Sequence, residues 1–168
     1  MRAVFYIVWS LVGLVVLAAA AFCGVVAWQL VREFAPTTES APLSPGARAS
    51  AKGFTVTVHD IRDPMPGAWA REGERIVGFD LGVTAGDDYS GGCFDFVLVD
   101  EHGNEARSTV FLPQELSMPR PQELKAELKR GETARGWCLF AVPTGVSLRA
   151  LRFEPALPFV TIEFRGSP

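Results

Sequence analysis

Two hydrophobic patterns divide the chain. From Ala3 to Val31 no charged residue occurs, and only Ser10 and Gln29 are clearly polar. Twenty-nine residues at about 1.5 Å each make roughly 43 Å of helix. A bilayer core of about 30 Å needs about 20 residues. The pattern therefore predicts one transmembrane helix within residues 1–33, tilted or with its ends in the interface. Tyr6, Trp9 and Trp28 suit the interfacial levels. From Gly53 onward the period changes to two. Phe54 to His59 alternates apolar with polar. Arg75 to Ala85 sets Val77, Phe79, Leu81, Val83 and Ala85 on one face, and Gly78, Asp80, Gly82 and Thr84 on the other. Such alternation predicts half-buried strands.

A third strand is predicted over Cys93 to Val99 and a fourth over Ala106 to Leu112. Asp100-Glu101-His102-Gly103-Asn104 joins them as a hairpin loop, with Gly103 free to take positive φ. Pro113, Pro119 and Pro121 break regular structure. Glu123 to Leu128 fits a helix through Leu124 and Leu128, and equally a strand through Leu124, Ala126 and Leu128. Further strands are expected at Thr133 to Val142, at Leu148 to Phe153, and around Val160, Ile162 and Phe164. Seven or eight short strands with frequent turn signals predict an all-β fold, an immunoglobulin-like antiparallel β-sandwich. The stretch between the two patterns reads APTTESAPLSPGARASAK and has no apolar periodicity. It is expected to be an extended, mobile linker over residues 34–52, leaving 53–168 as the folded domain.

Composition narrows the reading. A chain of 168 residues is long enough for one domain plus a tail. Its 21% charged residues and 12 Phe exclude a wholly disordered chain. A net charge of −3 argues against a nucleic-acid partner, which needs a basic surface. The competing reading of the apolar run is a cleaved leader ending at Ala18-Ala19-Ala20-Ala21. The run continues past that point to Trp28, which favours a retained anchor. Lipidation at Cys23 is disfavoured by the bulky Phe22 before it. Arg2 before the span, and Arg32 beside Glu33 after it, weakly favour a cytoplasmic amino terminus. The expected location is then the plasma membrane, single-pass, with the folded domain on the extracytoplasmic side. Secretion after cleavage is the alternative.

Three segments of the domain resemble the telokin-like, immunoglobulin-fold family of bacterial extracellular domains of unknown function. The mycobacterial secreted immunoprotective antigen belongs to the same structural group. Gly73-Glu74-Arg75-Ile76-Val77-Gly78-Phe79-Asp80-Leu81-Gly82-Val83 is similar to its early core strand. Phe96-Val97-Leu98-Val99-Asp100-Glu101-His102-Gly103 is similar to its strand-to-hairpin segment. Gly131-Glu132-Thr133 through Gly136, with Phe140, Val142 and Pro143, resembles its G-E-x-x-x-G-x-x-x-F-x-V-P signature. Thr84-Ala85-Gly86 departs from the family, whose members often carry Asn there. The resemblance implies an envelope-exposed sandwich, often tethered, with a binding role. It carries over no catalytic residues.

Candidate chemistry is sparse. Cys93 and Cys138 are the two cysteines beyond the apolar run, and in an oxidising compartment they are expected to form a disulfide. Two buried thiols are the alternative. Simple alternation places Cys93 on the face opposite Phe94 and Phe96, unless Gly91 and Gly92 mark a bulge. Asp60, Asp63, Asp87 and Asp88 match no calcium-loop spacing and read as solvated turn carboxylates. No metal site is expected at His59, His102, Met65 or Met118, and no cofactor is implied. No nucleophile elbow, H-E-x-x-H, Walker loop or C-x-x-C occurs, so no catalytic residue is assigned. Trp69, in the loop DPMPGAWAREG, is the leading recognition candidate, either exposed or folded back over the sandwich end. Tyr89, beside Asp87 and Asp88, is the second. The expected function is a non-catalytic binding or interaction module of the bacterial envelope. The bilayer is contacted through residues 3–31, and an envelope protein or wall component is the partner. The alternatives are an accessory subunit joined to a membrane complex through the helix, and a small-ligand or metal carrier.

Overall fold

The computed structural model describes residues 21–28, 37–108, 124–156 and 160–166. The chain divides into two units, Met1–Ala35 and Pro36–Pro168. In the first, residues 21–28 are helical and every one of their side chains is exposed, Phe22 and Trp28 among them. Cys23 is an exposed free thiol in this helix. Among the described residues no helix is long and apolar enough to cross a membrane. Residues 3–20 and 29–31 of the expected span lie outside the described residues.

The second unit is built from eleven described strands. They are β1 (Thr37–Pro42), β2 (Arg48–Ala51), β3 (Phe54–Arg62), β4 (Glu74–Ala85), β5 (Tyr89–Gly92) and β6 (Phe96–Asp100). Then follow β7 (Glu105–Arg107), β8 (Lys125–Leu128), β9 (Thr133–Pro143), β10 (Leu148–Phe153) and β11 (Val160–Arg165). One sheet has the order β1-β11-β10-β6-β7, the other β2-β3-β4-β9, and β5 pairs with β8 as a separate ribbon. The two larger sheets face each other across one core. Val56, Val58, Phe79, Leu81, Val83 and Phe140 come from one side, and Phe96, Leu98, Leu151, Phe153, Ile162 and Phe164 from the other. Period-two alternation produces this layer directly, because every second side chain of each strand enters it.

Four expectations need correction. The predicted linker 34–52 contains β1 and β2, which are strands of the two sheets. β1 shows almost no apolar alternation because it is exposed along nearly its whole length. Its backbone pairs with β11, and in parallel, so the sandwich is not purely antiparallel. β2 does alternate, but with Ala49 and Ala51 as its buried positions, too small to stand out in composition. The strand expected at Cys93 starts later: Cys93–Asp95 is a single 3-10 turn and β6 begins at Phe96. Finally, β4 is buried on both faces rather than one. The ambiguous segment before Gly131 is resolved as strand β8. Thr109 to Leu112 of the predicted fourth strand lie outside the described residues.

The Asp100 hairpin forms as the sequence predicts, with Gly103 at φ 84°. Asp100 accepts from the backbone N–H groups of His102 and Asn104 at 2.9 and 2.8 Å, and from Asn104 Nδ2 at 2.8 Å. The Asn104 side-chain hydrogen bond, with those two amides, lowers the Asp100 pKa below its ordinary value. A carboxyl lowered in the folded state stabilises fully above the ordinary carboxylate range, and loses that contribution as pH falls through it. The stability gap between the native chain and Asp100→Asn should therefore be constant near neutrality and shrink below about pH 4. Urea midpoints measured for both chains from pH 7 to pH 2.5 check this.

Candidate functional site

Two structural features collect the sequence-predicted site residues, and strand direction sets them at opposite ends of the sandwich. β4 runs from Glu74 to Ala85, so the Trp69 loop precedes one end and Asp87-Asp88 follow the other. Twelve strand residues span roughly 40 Å. Thr37, where the chain enters β1, pairs with Val160 of β11, and Ile162 of the same strand pairs with Phe153. Phe153 packs edge-on against Phe54 at 5.4 Å, and Phe54 is paired with Ala85. Chain entry and the Asp87-Asp88 turn therefore share one end, and Trp69 lies at the other.

The first feature is the turn carrying Cys93. Cys93 and Cys138 form a disulfide with Cα atoms 5.3 Å apart, within the range such a bond requires. The 3-10 turn, rather than a bulge, lets Cys93 and Phe96 both face the core while Phe94 turns outward. The bond ties the segment before β6 to the middle of β9, so it staples one sheet to the other. Asp95 braces this turn from inside. It accepts from Gly92 N–H at 3.1 Å and from the Tyr89 hydroxyl, while its own carbonyl accepts from Glu154 N–H at 2.7 Å. Gly91 has no side chain for a steric reason: an added Cβ would fall on the Tyr89 hydroxyl and the Asp95 carboxylate.

Tyr89 is consequently not an exposed recognition residue. Its ring packs edge-on against Phe54 and Phe153 in the core. Burial first, and the neighbouring Asp95 carboxylate second, push its hydroxyl pKa well above the ordinary value. Asp87 and Asp88 are exposed, and Asp88 pairs with Lys129 at 3.0 Å, which lowers its pKa. Nothing in the sequence flagged Asp95 as Tyr89's partner, because the spacing Tyr-x-x-x-x-x-Asp has no period of its own.

The second feature is the loop from Asp63 to Gly73. Its root is held at several points. Arg75 donates through Nε to Asp63 at 2.7 Å, and also reaches the carbonyls of Pro143 and Val146 at 2.6 and 2.7 Å. Thr144 donates to Gly73 through its backbone N–H at 2.9 Å and its hydroxyl at 3.1 Å. Met65 folds down onto the outer face of β4, where it is 3% exposed and packs with Ile76 and Leu139. It can do so because Gly78 leaves a hole: a Cβ there would lie 2.7 Å from the Met65 sulfur. Ala68 and Ala70 rest on the same cluster. Trp69, between them, is 76% exposed. The alternative in which it seals the sandwich end does not hold.

The remaining outer face of β3, β4 and β9 is polar and internally paired. Asp80 is buried and held by both Nε and Nη2 of Arg135. Arg62 pairs with Asp60 at 3.0 Å and lies over the Trp137 ring at 5.3 Å. His59 stands over Gly82, where a Cβ would meet its Nε2 at 2.8 Å. Asp60 and Asp63, expected as solvated turn carboxylates, are thus engaged with arginines. A cleft of about 680 Å³ opens beside Glu101, Leu148 and Arg149, and its Glu163 and Arg165 pair with each other at 2.6 Å. Among the described residues no three His, Cys, Asp or Glu side chains gather as a metal site.

Comparison with known proteins places the fold. No family model matches the chain, and no curated protein matches it. Three solved structures share its architecture. The secreted protein MPT63 of Mycobacterium tuberculosis is 14% identical over 75% of this chain and 95% of its own, with a TM-score of 0.51. The yjhA protein of Bacillus subtilis is 13% identical over 77% of this chain and 99% of its own, with a TM-score of 0.53. The candidate lipoprotein ycdA of Bacillus subtilis is 17% identical, with a TM-score of 0.54. This chain covers 73% of its own length in that match and spans 39% of the ycdA protein. The fold is therefore a β-sandwich shared with these three bacterial proteins, one of them described as secreted and one as a candidate lipoprotein.

Three outcomes are expected. Alkylation of the unreduced, denatured chain should modify Cys23 alone, with Cys93 and Cys138 reacting only after reduction. Replacing both with Ala should lower the unfolding free energy by about 2–4 kcal/mol, read from urea midpoints. Separately, Gly91→Ala should destabilise by about 1–3 kcal/mol, since its methyl group displaces the Tyr89–Asp95 hydrogen bond.

Proposed function

We propose that this protein is a membrane-anchored, non-catalytic interaction module of the bacterial envelope, with its sandwich on the extracytoplasmic side. The observation that carries the reading is Trp69: a large apolar side chain, 76% exposed, on a loop whose root is fixed by Arg75, Thr144 and Met65. Exposed tryptophan is rare on monomer surfaces and is enriched at the energetic centres of interfaces. The Cys93–Cys138 disulfide supports an oxidising compartment, and so does a fold shared with secreted and lipoprotein-type proteins. Residues 3–31 supply the anchor in this reading. Within that run, residues 21–28 are helical, with Phe22, Val25 and Trp28 among their exposed side chains. The motif likeness to the telokin-like domain family belongs to the same proposal. The bilayer is one partner, and an envelope protein or wall component is the other.

The test uses the full chain with a carboxy-terminal tag in intact cells, beside a chain whose residues 3–31 are replaced by an unrelated span. Both should stay in the membrane fraction through alkaline carbonate extraction, and both should co-purify the same partner after crosslinking. Release of the native chain by carbonate overturns the anchor. Loss of the partner with the native helix instead identifies an accessory subunit held through helix contacts.

A further inference from the structure

We propose that the β5–β8 ribbon, with the 3-10 turn at its end, is a redox-sensitive flap on the core, which reduction of the Cys93–Cys138 bond opens while both large sheets stay folded. The two cysteines are held unequally. Cys138 lies opposite Phe79 in the β4–β9 ladder, whose register runs unbroken from Glu74 opposite Pro143 to Thr84 opposite Thr133. Its side chain is fully buried. Cys93 opens a turn of three residues, after a strand of only four. It lies outside the ladders on either side of it, which end at Gly92 and resume at Phe96. Of the two cysteines it is also the less buried. One partner is built into the frame of the sandwich, and the other sits at the end of a short ribbon.

Reduction has to move one of them. The reductant is a dithiol, small molecule or protein. Its first thiolate attacks Cys93 Sγ, and Cys138 leaves as a thiolate and takes up a proton. Its second thiol resolves the mixed disulfide, so that Cys93 is protonated in turn and the reductant becomes the disulfide. Two electrons and two protons have then passed to the protein. Sulfur atoms that are no longer bonded separate to van der Waals distance, and a close-packed interior has no spare room for them. Shifting Cys138 would break the pairing of β9 with β4. The turn has no ladder to lose, so Cys93 takes the displacement.

The contacts around the turn set how far the opening spreads. Asp95 is the hinge, since its carbonyl accepts from Glu154 N–H at 2.7 Å. Its carboxylate accepts from Gly92 N–H at 3.1 Å and from the Tyr89 hydroxyl. As Cys93 swings, Gly92 and Tyr89 are drawn off that carboxylate. Tyr89 packs on Phe54 at 5.2 Å and on Phe153 at 6.1 Å. Leu128, its partner across the ribbon, and Leu124 are buried in the same core. Among the described residues the ribbon is a sheet of its own, and Leu124 N–H reaches Trp137 O at 3.4 Å beside it. Tyr89, Leu124 and Leu128 therefore lift from the core together. The ladders of the two large sheets do not pass through the ribbon, so they survive the opening.

The experiment uses the full chain, carrying Cys23→Ser and purified in a mild detergent, once oxidised and once as the dithiol. Amide hydrogen exchange is followed by mass spectrometry. In the dithiol, segments 89–95 and 124–128 should exchange roughly tenfold faster or more, while 74–85 and 133–143 stay within about twofold of the oxidised chain. Brief alkylation of the dithiol should modify Cys93 roughly tenfold faster than Cys138, which the ladder keeps buried. Reoxidation should restore the original exchange rates. Equal acceleration through β4 and β9 overturns the proposal, because the bond then holds the whole sandwich. A dithiol that loses the circular-dichroism signal of its sheets overturns it for the same reason. Unchanged exchange in the ribbon overturns it by showing that the bond holds no flap shut. Cys138 reacting as fast as Cys93 overturns it by placing the motion on the wrong partner. Rates that reoxidation fails to restore overturn it as a switch.

Discussion

Strand β4 is the element on which the rest depends, because it is hydrogen-bonded on both edges and covered on both faces. β9 pairs with it from Glu74 opposite Pro143 to Thr84 opposite Thr133, and β3 from Gly78 opposite Arg62 to Ala85 opposite Phe54. Its inward residues, Val77 to Ala85, form the floor of the core. Its outward positions include Gly78 and Gly82, where missing side chains let Met65 and His59 lie flat on the sheet. A strand of this kind has no freedom to slip. A shift of one residue would put Phe79 and Leu81 outside and Asp80 inside. The same register that fixes the core therefore fixes the seat on which the Trp69 loop rests.

Around this frame, the covalent and polar ties sit where the sandwich is least regular. β5, the 3-10 turn and β6 pass from the small ribbon to the five-stranded sheet with few long ladders to hold them. The Cys93–Cys138 bond, the Tyr89–Asp95 hydrogen bond and the Glu154–Asp95 backbone contact converge there. A buried, hydrogen-bonded carboxylate is costly to leave unpaired, so each partner constrains the others. The opposite end is held differently. Arg75 spreads its guanidinium over Asp63, Pro143 and Val146, linking the loop from Asp63 to Gly73 to the β9–β10 turn with one side chain.

Much of the architecture was legible in the sequence. The strands at Phe54, Arg75, Thr133, Leu148 and Val160, and the Asp100 hairpin, follow from alternation and turn chemistry alone. The disulfide followed from compartment logic, although alternation around Cys93 pointed the other way. What alternation missed were the strands that bury little. β1 is held by backbone pairing, which leaves no mark on side-chain pattern, and β2 buries only alanines.

The chain's own residues thus determined which segments are extended and which faces are apolar, because those depend on spacing within a few residues. They also marked Trp69 as a candidate, but left open whether the indole is exposed or folded back over the sandwich end. Only the tertiary structure decided which candidates face solvent. It turned Tyr89 inward toward Asp95, left Trp69 outside, and set Trp69 and Asp87-Asp88 at opposite ends of β4. Such outcomes depend on contacts between distant segments, Met65 on Gly78 and Asp63 on Arg75, whose partners no local period encodes.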